Sequence, residues 1–461
     1  MTDRKTRKWL TEIVGKAGVK EGEALRDYAV DGQVPQAVLF PGSREEVERI
    51  VALALEQGLT IVPWGGGTHM GLGAPPRRLD LVLCLTRLDR IVDQDHENMT
   101  VTAEAGVCLA AIQENLRHIG SGFFLPLDPP FGDKATLGGA IAGNSSGPRR
   151  LRYGTLRDLV LGIEVIIPEQ GAEGLKTVAG GKTVKNVSGY DMSKLYIGSL
   201  GTLAIIVEAT CRILPVPEDQ ATVIIGFPSS EQPWALARTL LESQLLPSCI
   251  EVYNSMTASM LSARGKSSAE TAVEAWVAVG IEGIREAVER QIAEIENLAR
   301  SQGTEQIEIL RGSEEVAFWR RLGRLALEVR AKGNRSIGLK VSVPLSLTHE
   351  ISAAIEEHTA NENVVCYQLS HAGSGIVYAH MALDGGLYRE KEEALTEVLH
   401  ELRKRSEGMD GSVVVAYAPP EFKGRVDVWG DVGGMFPIMQ QLKRAFDPKA
   451  ILNPGRYVGG I

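Results

Sequence analysis

The chain has 461 residues, 44% hydrophobic and 23% charged, with a formal net charge of −9 and a pI near 5.6. That is enough chain for two or three domains with their own cores, and its acidity argues against non-specific binding to nucleic acid or anionic membrane. No apolar run approaches the ~20 residues of a membrane span, and the basic N-terminus lacks the apolar core of an export signal.

Residues 1–34 read as a short helical segment with charged faces. "AVLF" from Ala37 is an apolar strand. In "SREEVERIVALALEQG", Ser43 is an N-cap with Glu46 three positions on; Val47, Ile50, Val51, Ala54 and Leu55 form one face, and Gly58 stops the helix. "LTIVPWGGGT" is a buried strand running into a glycine loop. "LDLVLCL" and "MTVTAEAGV" are strands, and "LAAIQENLRHIG" is a helix. "DLVLGIEVII" and "GTLAIIVEATCRIL" are strands again. This α+β domain, 35–217, ends at the joint "LPVPEDQ". A second domain, 218–410, follows with strands "ATVIIGF", "CIEVYN" and "AWVAVGIEG", a long helix from Ile284 to about Gln302, and further strand–strand–helix units. Its rhythm predicts antiparallel sheet with helices on one face. Residues 411–461 hold a helix and a Pro-punctuated tail.

The five cysteines (Cys84, Cys108, Cys211, Cys249 and Cys366) are scattered, with no CxxC. That excludes the usual closely spaced ligands of an iron–sulfur cluster, argues against a zinc finger or a disulfide scaffold, and fits a reducing cytoplasm.

Glycine carries the main functional signal. "PWGGGTHMGLGAPP" (63–76) sets three glycines after a strand, either as a nest of N–H groups for a phosphate or as a plain tight turn. It has no Walker lysine. "DPPFGDKATLGGAIAGNSSGPRRLRYG" (128–154) and "KTVKNVSGYDMSKLYIGSLGTLAIIVEAT" (182–210) are two more such segments, the last carrying Gly189, Gly198 and Gly201.

These segments, with "TVTAEAGV", "DLVLGIEVIIP" and the terminal "FDPKAILNPGR", resemble the vanillyl-alcohol oxidase/PCMH flavoprotein family. Within it the chain is similar to the glycolate oxidase and D-lactate dehydrogenase group, and most like the FAD-binding E subunit of glycolate oxidase. The resemblance implies a two-lobed PCMH-type FAD-binding domain, a ferredoxin-like α+β cap domain, and a tail returning to the FAD domain. It implies non-covalent FAD. Pro63, Gly65, Gly66, Gly67, Thr68 and His69 would wrap the pyrophosphate. Glu104, Gly106, Val107, Thr136, Gly138, Gly139, Asn144 and Gly147 would line adenosine, phosphates and ring edge. Tyr153 and Gly154 would approach the dinucleotide, Gly201, Ile205 and Ile206 would pass beside it, and Asn453 would return from the tail. Lys182–Thr210 would close the pocket wall. His69 also raises covalent attachment, although the family's linking histidine falls at Thr68 here.

The substrate side departs from the family. Catalytic members carry "HxGDGNxH" and a later Glu-His-Gly, which would hold a divalent metal. Here "SHAGSGIVYAH" keeps His371 and His380, but Ser374 and Ile376 replace Asp and Asn. "MDGSVVVAYAPP" (409–420) has neither histidine nor glutamate. Two imidazoles make a poor metal site, so no metal is expected. His371 reads as a catalytic candidate or a polar contact near a glycine turn, and His380 as a satisfied strand residue. Arg320, beside Phe318 and Trp319, either holds a substrate carboxylate or lies on a solvated helix face. Lys340 either reaches the flavin face or edges the sheet.

The expected function is the FAD-binding subunit of a 2-hydroxy-acid (glycolate or D-lactate) dehydrogenase or oxidase complex. Electrons would pass to an iron–sulfur partner subunit, with a sister FAD subunit as a further partner. The alternatives are an FAD-bearing support or relay subunit without its own substrate site, and a stand-alone oxidase. Non-redox chemistry like that of the alkyl-dihydroxyacetone-phosphate synthases fits the shorter chain poorly. The expected location is the cytoplasm, peripheral to the membrane only through a complex.

Overall fold

The computed structural model describes residues 4–120, 122–168, 175–181, 190–261, 273–332, 335–362, 364–382 and 388–461. Residues 182–189 of the third glycine segment, Gly189 included, lie outside the described residues. The chain forms two compact units: Met1–Ser146, Gly154–Val216 and Asp431–Ile461 make the first, and Gly147–Tyr153 and Pro217–Gly430 the second.

The first unit starts from local signals. The helix Arg44–Gln57 is capped by the Ser43 hydroxyl, which accepts from Glu46 N–H at 3.3 Å, while the Glu46 carboxylate accepts from Gly42 N–H at 2.7 Å. Val47, Ile50, Val51, Ala54 and Leu55 are its buried face, and Gly58 ends it at φ 62°. One sheet orders Val19–Lys20, Ala37–Leu39, Leu81–Cys84 and Ile61–Trp64, the last three parallel. A second, antiparallel sheet orders Ile91–Asp95, Thr100–Glu104, Ile205–Arg212, Val160–Ile167 and Leu175–Gly180. One apolar core joins both lobes, from Leu39 and Ile61 to Val165 and Ile205.

The tail is fastened to this unit by buried polar groups. Ile61 N–H donates to Ile451 C=O at 2.7 Å and Asn453 N–H to Ile61 C=O at 2.8 Å. Lys443 Nζ donates to Thr202 C=O, Leu452 C=O and the Asp447 carboxylate, at 2.7, 2.9 and 2.7 Å. A buried ammonium with three acceptors is satisfied, so it fixes the turn instead of destabilising it.

The second unit is one eight-stranded antiparallel sheet, ordered Ile307–Leu310, Asp219–Phe227, Ala275–Gly283, Cys249–Asn254, Val365–His371, Ile376–Ala382, Ser336–Ser342 and Ser412–Tyr417. Helices cover both faces, not one. Gln232–Glu242 and Arg285–Ser301 pack on Val223, Val252 and Val279, whereas Gly312–Gly323 and Leu325–Lys332 pack on Ile224, Tyr253 and Tyr367. The strands alternate apolar residues on both sides, which demands two covers. The strand Ser412–Tyr417 belongs to this sheet, so the return to the first unit begins at Asp431 and not at 411. Residues 147–153 cross into this unit early: Arg152 Nη1 donates to the carbonyls of Leu246 and Glu282 at 3.1 and 3.2 Å.

Candidate functional site

A cleft in the first unit, enclosing ≈ 750 Å³ with its mouth, is lined by the 63–70 loop, the 136–143 segment, Leu200–Gly201, Ile206, Asn453 and Arg456. The strand Ile61–Trp64 delivers the glycine loop to the cleft. The backbone N–H groups of Gly65, Gly66, Gly67 and Thr68 make no hydrogen bond among the described residues. Four successive N–H groups without a protein partner on this loop are available to an anion.

The glycines are required by close approach. A Cβ at Gly66 would lie 1.8 Å from Lys134 O, and one at Gly65 would lie 2.1 Å from Thr136 Oγ1. The two glycine-rich segments therefore touch backbone to backbone. Thr136 caps the helix Leu137–Gly143 by accepting from Gly139 N–H at 3.3 Å. Asn453 stands at φ 47°; its Nδ2 donates to Leu200 C=O at 2.6 Å, while its buried Oδ1 has no partner among the described residues and lines the cleft. Arg456 Nη2 donates to Met70 C=O at 2.8 Å and also to Leu72 C=O, tying the tail to the loop. Burial pushes the Arg456 guanidinium down to about 10.

Of the residues singled out from sequence, Pro63, Gly65, Gly66, Gly67, Thr68, His69, Thr136, Gly138, Gly139, Gly201, Ile206 and Asn453 line this cleft. The others lie elsewhere. The Glu104 carboxylate accepts from Arg90 side chain at 2.7 Å and Arg90 N–H at 2.9 Å. Gly106 packs under Leu85 and Leu88, and Val107 N–H donates to Glu104 C=O. Asn144 ends the 137–143 helix, Gly154 turns against Asp158, and Ile205 is buried beside Ile206 in its strand. Gly147 and Tyr153 belong to the second unit, where the Tyr153 hydroxyl bonds the Glu282 carboxylate. Sequence reasoning did not single out Met70, Leu72 and Arg456, although all three lie inside quoted motifs.

His69 is held at both ring nitrogens, Nδ1 to the Thr68 hydroxyl at 3.1 Å and Nε2 to the Ser145 hydroxyl at 3.0 Å. An imidazole so occupied is a poor nucleophile. Acid precipitation of the purified chain is therefore expected to release its flavin into the supernatant; flavin retained in the pellet would show a covalent anchor.

In the second unit, one face of the sheet collects polar groups by strand alternation. Glu251 pairs with His371 across neighbouring strands, and Lys340 pairs with Tyr378. His371 Nδ1 lies 2.8 and 2.7 Å from the two Glu251 oxygens. Since an ionised carboxylate only accepts, Nδ1 carries the hydrogen that is donated to Glu251, and Nε2 is the ring nitrogen left for a further partner. His380 contacts the Tyr417 hydroxyl through Nδ1 at 3.1 Å, and burial pushes its imidazole down to about 4, so it is neutral.

The metal that the family pattern implies does not fit these residues. The Tyr378 ring stands between the imidazoles, 5.2 Å from His371 and 6.2 Å from His380. In register, His371 pairs with Ile376, Ile376 with Ser342, and Ser342 with Ser412. Three strand spacings, roughly 14 Å, thus separate His371 from Ser412. No group of three potential metal ligands occurs among the described residues. Arg320 is exposed on the helix Gly312–Gly323, while Trp319 Nε1 donates to the Thr222 hydroxyl at 2.8 Å. All five cysteines are free thiols. No helix among the described residues is long and apolar enough to cross a membrane.

Residues 35–172 match the family described as FAD binding domain, and residues 216–414 and 433–457 match that described as FAD linked oxidases, C-terminal domain. The chain belongs to the FAD-linked oxidases. It is an FAD-dependent oxidoreductase. It is 28% identical to "Glycolate oxidase subunit GlcD" of Bacillus subtilis over 99% of this chain and 97% of that protein. It is 27% identical to "Probable D-lactate dehydrogenase, mitochondrial" of Danio rerio over 97% of this chain and 90% of that one. Its fold is that of 4-ethylphenol oxidase from Gulosibacter chungangensis, with a TM-score of 0.77 at 18% identity, covering 98% of this chain and 96% of the other. The cofactor is FAD, and the cleft fits it: the free N–H groups of 65–68 suit a pyrophosphate and the orphan Asn453 Oδ1 suits a ring N–H.

Proposed function

We propose that this chain oxidises a small 2-hydroxy acid of the glycolate or D-lactate type to the 2-oxo acid without a metal. The observation that carries the reading is the His371–Glu251 pair, which offers a fixed proton acceptor where the family pattern calls for metal ligands. Bound FAD supplies a two-electron acceptor for the hydride. The chain's residues do the rest. Gly65–Thr68 and Asn453 bind and orient the cofactor, and His371 Nε2 takes the hydroxyl proton while Glu251 holds the ring. Two relatives named for glycolate and D-lactate support the substrate class.

Electrons then leave to an iron–sulfur partner subunit, because the scattered free cysteines of this chain do not hold a cluster. A sister FAD subunit completes the proposed complex. The reading keeps the chain in the cytoplasm, with membrane attachment only through the complex. Separation of His371, His380 and Ser412 on the sheet favours a second reading, in which the chain is an FAD-bearing support or relay subunit.

Anaerobic mixing of the purified yellow chain with glycolate, D-lactate and L-lactate separates the two. Bleaching of one equivalent of FAD by glycolate or D-lactate is expected. No bleaching by any of the three, with normal reduction by dithionite, would establish the support-subunit reading instead.

A further inference from the structure

The sheet of the second unit carries another polar patch, on the face away from His371. Side chains alternate along a strand, so Gln368 and Ser370 point opposite to His371, and Val252, the cross-strand partner of Ser370, points opposite to Glu251. The helices Gln232–Glu242 and Thr348–Asn361 cover this face. Between them and the sheet lies a chamber of ≈ 330 Å³, mouth included, lined by Trp234, His349, Ser352, Glu356, Gln368 and Ser370 among others. The Trp234 and His349 rings, 5.8 Å apart, also line a wider groove that runs past Ala237, Arg238 and Leu241, so chamber and groove share this wall.

The chamber does not satisfy its own polar groups. Asn254 is complete: its Oδ1 accepts from Thr257 N–H at 3.0 Å and Gln368 N–H at 3.3 Å, and its Nδ2 donates to Cys366 C=O at 2.9 Å. The Gln368 amide is half used. Its Nε2 donates to Ser352 C=O at 3.2 Å and also bonds the Ser352 hydroxyl. A carbonyl only accepts, so that end of the amide is the nitrogen and the other is the oxygen. This Gln368 Oε1 has no partner among the described residues, and neither has the Ser370 hydroxyl, although the two residues are only 2% and 1% exposed. The half-buried Glu356 carboxylate likewise has no hydrogen bond or ion pair among the described residues. Burial first, and the Glu274 charge second, push its carboxyl up.

Buried acceptors without a donor are costly, and they mark a place for an occupant that supplies one. An amide oxygen and a carboxylate only accept, so the occupant must donate. A primary ammonium has three N–H donors, one each for Glu356, Gln368 Oε1 and the Ser370 oxygen. Its charge complements the carboxylate, and the Trp234 ring beside it suits a cation.

We propose that this chamber binds a primary ammonium group on a slender alkyl chain, its head held by Glu356, Gln368 and Ser370 and its chain passing Trp234 into the groove. Arg238 and Glu242 both line that groove, so a carboxylate or a second ammonium at the far end of the chain finds a counter-charge there. The site faces away from His371 and does not rest on the function proposed above.

The test is calorimetric titration of the FAD-loaded full chain with propylammonium, 4-aminobutanoate and 1,4-diaminobutane, with tetramethylammonium as the cation that has no N–H. Saturable binding of one equivalent of propylammonium is expected, and none of tetramethylammonium. Tighter binding of 4-aminobutanoate than of the diamine would assign the site to an amino acid, and the reverse order to a diamine. Glu356→Gln is expected to weaken propylammonium about 10- to 100-fold, as loss of a charged hydrogen bond implies, and Ser370→Ala about 2- to 10-fold. Arg290→Gln, which breaks an exposed pair with Glu294, should bind as the parent does. The Ser370 hydroxyl has no partner to lose, so Ser370→Ala should melt at the parent's temperature or above it in the absence of ligand. Melting curves check that every variant folds.

No saturable binding of the three ammonium compounds at millimolar concentration would overturn the site and leave the chamber to ordered water. Unchanged affinity in both Glu356→Gln and Ser370→Ala would overturn it too, as would tetramethylammonium binding as tight as propylammonium. Ammonium binding that both variants weaken would uphold the site, even if no hydroxy acid reduces the flavin; failure of that reduction would overturn the proposed function alone.

Discussion

Gly66→Ala is expected to leave the purified chain nearly colourless, with less than about a tenth of the parent's FAD. The added Cβ would sit 1.8 Å from Lys134 O and 2.8 Å from its carbonyl carbon, so backbone must move. The movement parts the 63–70 loop from the 134–139 segment, and both line the cleft. Separation by even an ångström removes the convergence of N–H groups that an anion nest requires. The second unit has its own cores and should keep its melting transition. Gly58→Ala is the control. Its φ is 62° but its Cβ meets nothing within 4 Å, so it should cost about 1 kcal/mol of backbone strain and keep the flavin. Full FAD occupancy in Gly66→Ala would show that the loop is only a turn.

Replacing His371 is expected to slow flavin reduction by the hydroxy acid about 10²- to 10⁴-fold, the usual contribution of a positioned general base. His371→Ala alone is hazardous to folding, because it takes the imidazole away from the Glu251 carboxylate, which is 1% exposed. The Glu251→Gln/His371→Gln double variant removes the carboxylate and the imidazole together and should fold. Stopped-flow measurement should find it as slow as His371→Gln alone, since the two residues act as one unit. FAD content should stay near the parent's. Reduction at the parental rate in the double variant would reduce the pair to a structural ion pair.

Much of this was legible locally. Ser43 and Gly58 bound their helix because caps act over one turn, and the three glycine segments announce close backbone approach within a few residues. The tail motif "LNPGR" points back to the cleft through Asn453 and Arg456. What stayed hidden depends on pairs far apart in the chain. Glu251 and His371 meet only because Cys249–Asn254 lies beside Val365–His371 in the sheet, an order no local pattern encodes. Arg150 sits within a motif that reads as cofactor binding, yet residues 147–153 belong to the second unit. The helices of 312–332 cover the second face of the sheet, and their short, mixed pattern hid them. Arg320 was readable as part of a solvated helix face, and it is exposed there.

FAD-linked oxidation of a hydroxy acid on this chain should need no metal. The most direct measurement takes one sample of tag-free, chelator-treated chain, determines its metal content by elemental analysis, and mixes it anaerobically with glycolate or D-lactate. Less than about a tenth of an equivalent of zinc, manganese or iron is expected, with flavin reduction at the rate of the untreated chain. Loss of reduction on chelation, restored by one equivalent of metal and not restored in His371→Gln, would contradict it.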